Sequence, residues 1–281
     1  MGNKKKQDVY PVALTIAGSD SGGGAGIQAD LRTFSAFGVY GASVITAVTA
    51  QNPQQVLRID GLPPESISAQ LEAVLSLSIT TIKTGMLFNK EIIQVVVETL
   101  KDRSLNLVVD PVMISTSGVK LLADDAIDSL KNTLLPLATW ITPNVPEAEE
   151  LTGITIKSLA DMVTAAKSIS QKWDCNCVLK GGHLDSHSEL ITDIIIYNGT
   201  AYELSSPKLH DCTATHGTGC TFSAAMTAAY AIDLEWDEML MAAKSFVFGS
   251  LNEAVPIGED IHAMYPPTHN YNDNISLDVY E

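Results

Sequence analysis

Short apolar runs alternate with longer stretches of helical periodicity along most of the chain. Apolar runs bounded by turn residues predict buried strands, and apolar residues recurring every three or four positions predict helices. The predicted strands cover residues 12–17, 41–49, 56–59, 80–84, 105–109, 139–142, 176–179, 191–197 and 200–204. The predicted helices cover residues 27–37, 65–77, 90–100, 124–135, 158–172, 218–232 and 236–253.

This alternation predicts an α/β fold, a single-domain doubly wound, mostly parallel sheet with helices on both faces. The turn residues Asn198 and Gly199 favour a hairpin between the last two strands. Because no repeat or linker interrupts residues 12–267, this range is predicted to form one domain behind an N-terminal extension, residues 1–11. Residues 268–281 are polar and unpatterned, so we expect a loose tail there.

Composition narrows the possible functions. The 281 residues are 46% hydrophobic, enough for a large core, and carry a net charge of −16. Such acidity argues against nucleic acid and against an anionic membrane surface as partners. No apolar run approaches the roughly 20 residues that span a bilayer. The four cysteines show neither a C-x-x-C pair nor zinc-site spacing, and no secretory signal precedes them. Together these features predict a reduced, cytoplasmic protein.

Polar residues follow several of the predicted strands. In open α/β sheets, ligands bind beyond the carboxyl ends of the strands. The residues found there include Gly18, an amide, two separated carboxylates, a lysine, and an anion hole with a thiol, namely Gln51, Asp110, Glu147, Lys180 and the turn at residues 217–220 with Cys220. Phosphoryl transfer uses such a set, with amides and lysine on the phosphates, carboxylates on Mg²⁺ and a base on the acceptor hydroxyl.

The turn at residues 215–220 precedes an apolar, small-residue helix. Gly217 and Gly219 would let an anionic ligand approach the free amides of the helix N-terminus. We expect the same helix end to lower the pKa of Cys220, which makes this thiol a candidate base. His216 is assigned no chemistry. Considered alone, the stretch is also compatible with an ordinary helix-capping turn.

The glycine-rich loop at residues 18–26 admits two familiar interpretations, of which the dinucleotide-binding one is weak and the P-loop one is excluded. Gly24, Gly26 and Ala29 fit the dinucleotide-binding spacing, but residues 46–52 lack the carboxylate that this motif requires. The loop also lacks the Lys-Ser/Thr ending of a P-loop.

A set of colinear motifs resembles the hydroxymethylpyrimidine/phosphomethylpyrimidine kinases of thiamin biosynthesis, members of the ribokinase-like superfamily. The motifs are AGSDSGGGAGIQAD (17–30), VTAQN (48–52), GML (85–87), DPVM (110–113), TPNVPEAE (142–149), LKGGH (179–183) and HGTGCT (216–221). They run through residues 12–265, so the resemblance implies that residues 12–267 form a ribokinase-like kinase domain that uses ATP and Mg²⁺. It also implies a homodimer.

The resemblance assigns roles on the phosphate side of the expected site. Gly217, Thr218 and Gly219 would form the anion hole for the transferred phosphoryl group, and Cys220 would be the catalytic base. Residues assigned to ATP, its phosphates or Mg²⁺ are Asn144, Glu147, Asp110, Lys180, Thr218 and Lys244.

On the acceptor side, the resemblance implies a pyrimidine pocket. Its residues would be Gly18, Asp30, Gln51, Met86 and Val112. A glutamine amide can pair in bidentate fashion with an aminopyrimidine edge, one donor and one acceptor. Gln51 therefore favours 4-amino-5-hydroxymethyl-2-methylpyrimidine and its monophosphate as acceptors. A vitamin B6 (pyridoxal) kinase and a non-catalytic nucleotide-binding protein on the same fold are the alternatives.

Overall fold

Twelve β-strands and eight α-helices are formed by the residues that the structure, a computed structural model, describes: 9–113, 121–122, 124–182, 184, 188–210, 212 and 214–281. The strands are β1 (Val12–Asp20), β2 (Tyr40–Asn52), β3 (Gln55–Gly61), β4 (Ile79–Thr84), β5 (Asn106–Val109), β6 (Trp140–Ile141), β7 (Asn176–Leu179), β8 (Leu190–Tyr197), β9 (Thr200–Pro207), β10 (Val255–Gly258), β11 (Ile261–Ala263) and β12 (Ser276–Val279). The helices are α1 (Gly26–Ala36), α2 (Pro64–Val74), α3 (Lys90–Leu100), α4 (Asp124–Ser129), α5 (Val145–Thr152), α6 (Leu159–Trp173), α7 (Thr218–Ala231) and α8 (Trp236–Asn252). A π-helical segment, Leu130–Leu134, and a 3-10 turn, Leu135–Leu137, continue α4.

Ten of these strands form one sheet, in the order β12-β9-β8-β7-β6-β5-β4-β1-β2-β3. The six strands from β7 to β2 are parallel, and the strands at both edges are antiparallel. The predicted hairpin of β8 and β9 is confirmed, since Asn198 and Gly199 both have positive φ, 49° and 79°. The predicted doubly wound sheet with helices on both faces is confirmed as well.

The strand order reverses between β1 and β4. The chain leaves β1 toward β2 on one side, whereas β4 to β7 proceed on the other side. The connections after β1 and β4 lead to α1 and α3, which pack in different cores, and such a switch point is the usual place for a ligand in open α/β sheets.

Side chains alternate between two cores. Leu107 and Val109 of β5 pack with α2 to α6 on one face of the sheet. Val108, between them, packs with α7 and α8 on the other face. Phe34 of α1 packs against the small residues of α7. The five alanines of α7, together with Gly219 and Ser223, thus let this helix lie close to α1 and to the sheet.

The structure departs from the sequence predictions at the C-terminus and after β6. The C-terminal residues do not form a loose tail, because Ser276–Val279 pairs antiparallel with β9. Ile275 and Leu277 pack into the core beside α8, an apolar spacing that the surrounding Asn and Asp residues obscure. Helix α5, which was not predicted, begins at a capping box between Asn144 and Glu147 and ends at Gly153, whose φ is 75°. Residues 1–8 of the predicted N-terminal extension lie outside the described residues.

None of the described helices is long and apolar enough to cross a membrane.

Candidate active site

The predicted phosphate-side residues meet at the carboxyl edge of the parallel strands. Asp110 follows β5, Asn144 follows β6 and Lys180 follows β7. Asn144 and Lys180 form a short parallel bridge that extends the pairing of β6 with β7. Helix α7 begins at this edge with Thr218, so the backbone amides of its first turn face the same space.

Lys180 and Asp110 form an ion pair beside the first turn of α7. The Lys180 Nζ lies 3.0 Å from Asp110 Oδ1, and the Ser223 hydroxyl of α7 donates to Asp110 Oδ2 at 3.2 Å. A side-chain carbon on Gly219 would stand 3.2 Å from Lys180 Nζ, so glycine leaves the ammonium room over the helix end. An anion bound to the amides of α7 would therefore also meet a lysine.

Glu147 is buried beside this ion pair. Its Oε2 accepts the backbone N–H of Asn144, whose side chain in turn accepts the Glu147 N–H, each at 2.9 Å. Burial raises the pKa of Glu147 to about 7; the positive charge of Lys180 opposes the rise, and the charge of Asp110 adds to it. A carboxyl group in this position can take up or release a proton near neutral pH.

A divalent cation would find two carboxylates here. Within the described residues, no three His, Cys, Asp or Glu side chains converge into a complete metal site. Mg²⁺ is commonly held by one or two carboxylates together with substrate phosphates and water. Asp110 and Glu147, next to the N-terminus of α7, fit that arrangement.

Cys220 lies in the first turn of α7, but its pKa is not lowered. Burial raises the pKa of the thiol to about 11, against the opposing effects of Lys83 and of the Gly26 backbone N–H. The charges of Asp30 and Asp110 add to the rise. The prediction of a lowered thiol pKa is therefore wrong, because desolvation outweighs the helix dipole at this depth.

On the acceptor side, Met86 covers Gly18 at the switch point. A side-chain carbon on Gly18 would lie 2.5 Å from the Met86 Cε. Gln51 exchanges two backbone hydrogen bonds with the Ser21 hydroxyl, both 2.9 Å long, and no hydrogen bond within the described residues uses its side-chain amide. Val112 lines a small cavity together with Gly85 and Asp110. Gly18, Met86, Gln51 and Val112 therefore all lie at the carboxyl edge.

Asp30 occupies a different place from the other predicted pocket residues. It is fully buried, with one oxygen bound by Lys83 Nζ and the other by the Thr15 hydroxyl, each at 2.6 Å. It therefore lies beneath the site rather than on its surface. Sequence reasoning missed Lys83, although a lysine within a strand that is predicted to be buried is itself a signal of a buried partner.

Lys244 is also engaged in a buried ion pair. Its Nζ lies 2.7 Å from Asp193 Oδ2, while Asp193 Oδ1 accepts the Gly181 backbone N–H at 2.8 Å. Lys244 thus contacts the chain next to Lys180 through Asp193. Its predicted place near the nucleotide stays a prediction.

Sequence reasoning also missed a link between two loops of the site. His216 Nε2 lies 2.9 Å from Asp20 Oδ2, which joins the turn before α7 to the glycine-rich loop after β1. The sequence signal was an aspartate among glycines and a histidine next to a Gly-Thr-Gly turn.

Comparison with known proteins identifies the family. Residues 20–265 match the family model described as phosphomethylpyrimidine kinase. A hydroxymethylpyrimidine/phosphomethylpyrimidine kinase from Haemophilus influenzae is 48% identical over 250 residues, covering 88% of this chain and 93% of that protein.

Two solved structures share the fold. A pyridoxal kinase from Staphylococcus aureus, in complex with AMP-PCP and pyridoxal, gives a TM-score of 0.86 at 33% identity, covering 97% of this chain and 99% of that chain. A phosphomethylpyrimidine kinase from Clostridium difficile gives a TM-score of 0.73 at 44% identity, covering 84% of this chain and 97% of that chain.

The fold is therefore that of the ribokinase-like kinases. The chain belongs to the phosphomethylpyrimidine kinase family.

Proposed function

We propose that this chain transfers the γ-phosphoryl group of ATP to 4-amino-5-hydroxymethyl-2-methylpyrimidine and then phosphorylates the resulting monophosphate. The observation that carries the proposal is the meeting of Lys180, Asp110 and Gly219 at the start of α7, within a chain that matches this family over residues 20–265. The first product would be the pyrimidine monophosphate and the second the diphosphate, each with release of ADP.

The phosphate side of the reaction uses charge and backbone amides. Gly217, Thr218 and Gly219 present the helix N-terminus to the γ-phosphoryl group, and Lys180 supplies a positive charge. Asp110 and Glu147 would hold Mg²⁺, which neutralises charge on the phosphates when bound. The acceptor oxygen bonds to the γ-phosphorus as the bond to the β-phosphate oxygen breaks, and ADP leaves.

Cys220 is the proposed acceptor of the hydroxyl proton. Its sulfur must be a thiolate to take that proton, and burial keeps the thiol protonated at neutral pH, with a pKa of about 11. Lys83 and Lys180 interact favourably with the thiolate, whereas Asp30 and Asp110 oppose it. Neutralising Asp110 by metal binding would therefore favour ionisation in the loaded site.

Gln51 is the residue proposed to recognise the acceptor substrate. Within the described residues its side-chain amide makes no hydrogen bond, so the amide is available to a ligand at the edge of β2. One donor and one acceptor match the amino group and ring nitrogen of an aminopyrimidine. Met86 provides a polarisable surface for a flat ring.

A pyridoxal kinase activity is the second candidate. It is favoured by the high structural similarity to the Staphylococcus aureus pyridoxal kinase, with a TM-score of 0.86 over 97% of this chain. Pyridoxal offers no amino edge to Gln51, which makes the aminopyrimidine the first choice.

A turnover assay separates these candidates. The purified chain would be given ATP and Mg²⁺ with the hydroxymethylpyrimidine, its monophosphate or pyridoxal, and the products would be resolved by mass spectrometry. We expect the pyrimidine monophosphate and diphosphate. Turnover of pyridoxal alone would favour the second candidate, and turnover of none would leave a non-catalytic nucleotide-binding protein.

The proposal includes a homodimer in the cytoplasm, where ATP is available. Val48 and Leu57 are exposed apolar side chains on β2 and on the edge strand β3, which supports a contact between copies there. Sedimentation velocity of the wild type and of Leu57→Glu tests the dimer, which the variant is expected to weaken.

A further inference from the structure

The carboxylate of Asp20 organises the glycine-rich loop that follows β1. Its Oδ1 accepts the Gly22 N–H and its Oδ2 accepts the Ala25 N–H, both at 2.8 Å. Although burial opposes the charged form, the hydrogen bond from His216 and those from the Ala25 and Gly22 amides lower the pKa of Asp20. The carboxylate is therefore ionised at neutral pH, and the loop is folded around it.

The same carboxylate holds the turn that carries the proposed anion hole. His216 Nε2 donates to Asp20 Oδ2 at 2.9 Å, with the Asp20 side chain fully buried and that of His216 13% exposed. These residues are 196 positions apart in the chain. The bond thus connects the acceptor-side loop with the residue directly before Gly217.

The two loops also touch through their backbones. Gly217 has a φ of 82°, and a side-chain carbon there would collide with the Gly24 carbonyl oxygen. A side-chain carbon on Gly24 would lie 2.6 Å from His216 Cδ2. Glycine at both positions lets the loops lie in direct contact, so a shift of one loop has to displace the other.

We propose that His216 and Asp20 are a positioning pair that holds the anion hole at residues 217–219 in register with the acceptor-binding loop at residues 18–26. This inference rests on the proposed function, because that register would set the distance between the acceptor hydroxyl and the γ-phosphoryl group. Neither side chain needs to touch a reacting atom. Their effect is on the alignment of the two substrates, where a displacement of about 1 Å can cost ~10²-fold in rate.

A double-mutant cycle tests the pair. His216→Leu removes the donor, and Asp20→Asn removes the charge while keeping the shape of the side chain. We expect each to lower kcat by ~10²-fold while ADP, which has no γ-phosphoryl group, binds as in the wild type. The double variant should lose no more than the worse single variant, because residues that act as a unit are not additive. Losses that multiply would overturn the proposal.

A conservative replacement and a matched control sharpen the test. His216→Gln places a donor nitrogen near the position of Nε2 and should recover most of the lost kcat. His210 forms a similar pair with Glu189 at 3.1 Å on the exposed surface, so His210→Leu should leave kcat unchanged. No recovery by the Gln variant would overturn the positioning role.

Hydrogen exchange provides a readout that requires no acceptor. His216→Leu should speed amide exchange both at residues 217–219 and at Gly22 and Ala25, and His216→Gln should restore protection at both. Unchanged exchange at Gly22 and Ala25 in the Leu variant would overturn the link. A wild type that phosphorylates no acceptor would contradict the proposed function instead, and the exchange data would still decide on the pair.

Discussion

Lys83 Nζ lies 2.6 Å from Asp30 Oδ1 in an ion pair that is completely buried between β4 and α1. The Thr15 hydroxyl of β1 binds the second Asp30 oxygen, also at 2.6 Å. Burial opposes the ammonium charge, but the adjacent carboxylate raises the pKa of Lys83 above its usual value. Lys83, Asp30 and Thr15 thus join β4, α1 and β1 beneath the switch point. The charge of Lys83 lowers the pKa of Cys220, and the charge of Asp30 raises it.

Breaking this pair should destabilise the fold. Lys83→Met would leave an uncompensated buried carboxylate, and we expect the free energy of unfolding to fall by about 3–5 kcal/mol in urea denaturation. Lys83→Met combined with Asp30→Asn should recover part of the loss, because the Asn amide can still accept the Thr15 hydroxyl.

A partly exposed ion pair provides the control for this experiment. Lys131 lies 3.0 Å from Glu150, with Lys131 21% and Glu150 53% exposed, and Lys131→Met should cost about 0–1 kcal/mol. Equal losses for Lys83→Met and Lys131→Met would show that the buried pair carries no special energetic weight.

Gln51→Ala should weaken acceptor binding and spare nucleotide binding. Without the Gln51 amide, polar ring atoms of the bound aminopyrimidine would stay unpaired in a closed pocket, which costs about 1–3 kcal/mol of binding free energy. Calorimetric titration with the aminopyrimidine and with ADP measures both affinities. Gln54→Ala, an exposed amide three residues further along, should change neither. A comparable loss of both affinities in Gln51→Ala would remove Gln51 from the pocket.

The sequence predicted the fold well because its elements follow local patterns. Helix α3 was predicted at residues 90–100 and β7 at residues 176–179, with the bounds that the structure shows. Asp110, Asn144 and Lys180 could be predicted to lie at one edge of the sheet because each follows a strand, and the carboxyl ends of parallel strands meet at the same edge. Helix α5 was missed although its caps are readable, because its eight residues are too short for a clear period.

Long-range pairing of buried charges could not be predicted in the same way. Lys83 and Asp30 are 53 residues apart, Lys244 and Asp193 are 51 apart, and nothing local couples them. The prediction of a lowered pKa for the Cys220 thiol failed for a related reason. Its position at a helix start is visible in the sequence, whereas its depth of burial depends on how α1 and α7 pack.

Glu147 should make the stability of the chain depend on pH. Its folded-state pKa of about 7 exceeds the ordinary 4.5, so its stabilising contribution is fully present below pH 4.5 and is lost as the pH rises through 7. As the pH rises from 4.5 to 7, the free energy of unfolding of Glu147→Gln should therefore increase relative to that of the wild type. Urea unfolding without Mg²⁺ measures this difference. Parallel stability curves for the two proteins would contradict the shift.

The same carboxyl group should govern the metal requirement. Mg²⁺ binds the ionised form, so the Mg²⁺ concentration needed for half-maximal turnover should rise as the pH falls below 7. Glu147→Gln should need more Mg²⁺ at pH 8 than the wild type. An unchanged Mg²⁺ requirement in the variant would remove Glu147 from the metal site.

Cys220 should be both slow to react in the free protein and essential for turnover. With a thiol pKa of about 11, iodoacetamide should modify Cys220 slowly at pH 7 and faster as the pH rises toward that value, as mass spectrometry of its peptide would show. Cys220→Ala should lose ~10²–10⁴-fold in kcat, the usual worth of general-base catalysis, while ADP binding changes little because the amides of residues 217–219 remain. Cys212 is also partly buried and forms no disulfide, so it is the matched control. Cys212→Ala should keep full activity. Near-wild-type turnover by a folded Cys220→Ala protein would show that the thiol only packs the first turn of α7.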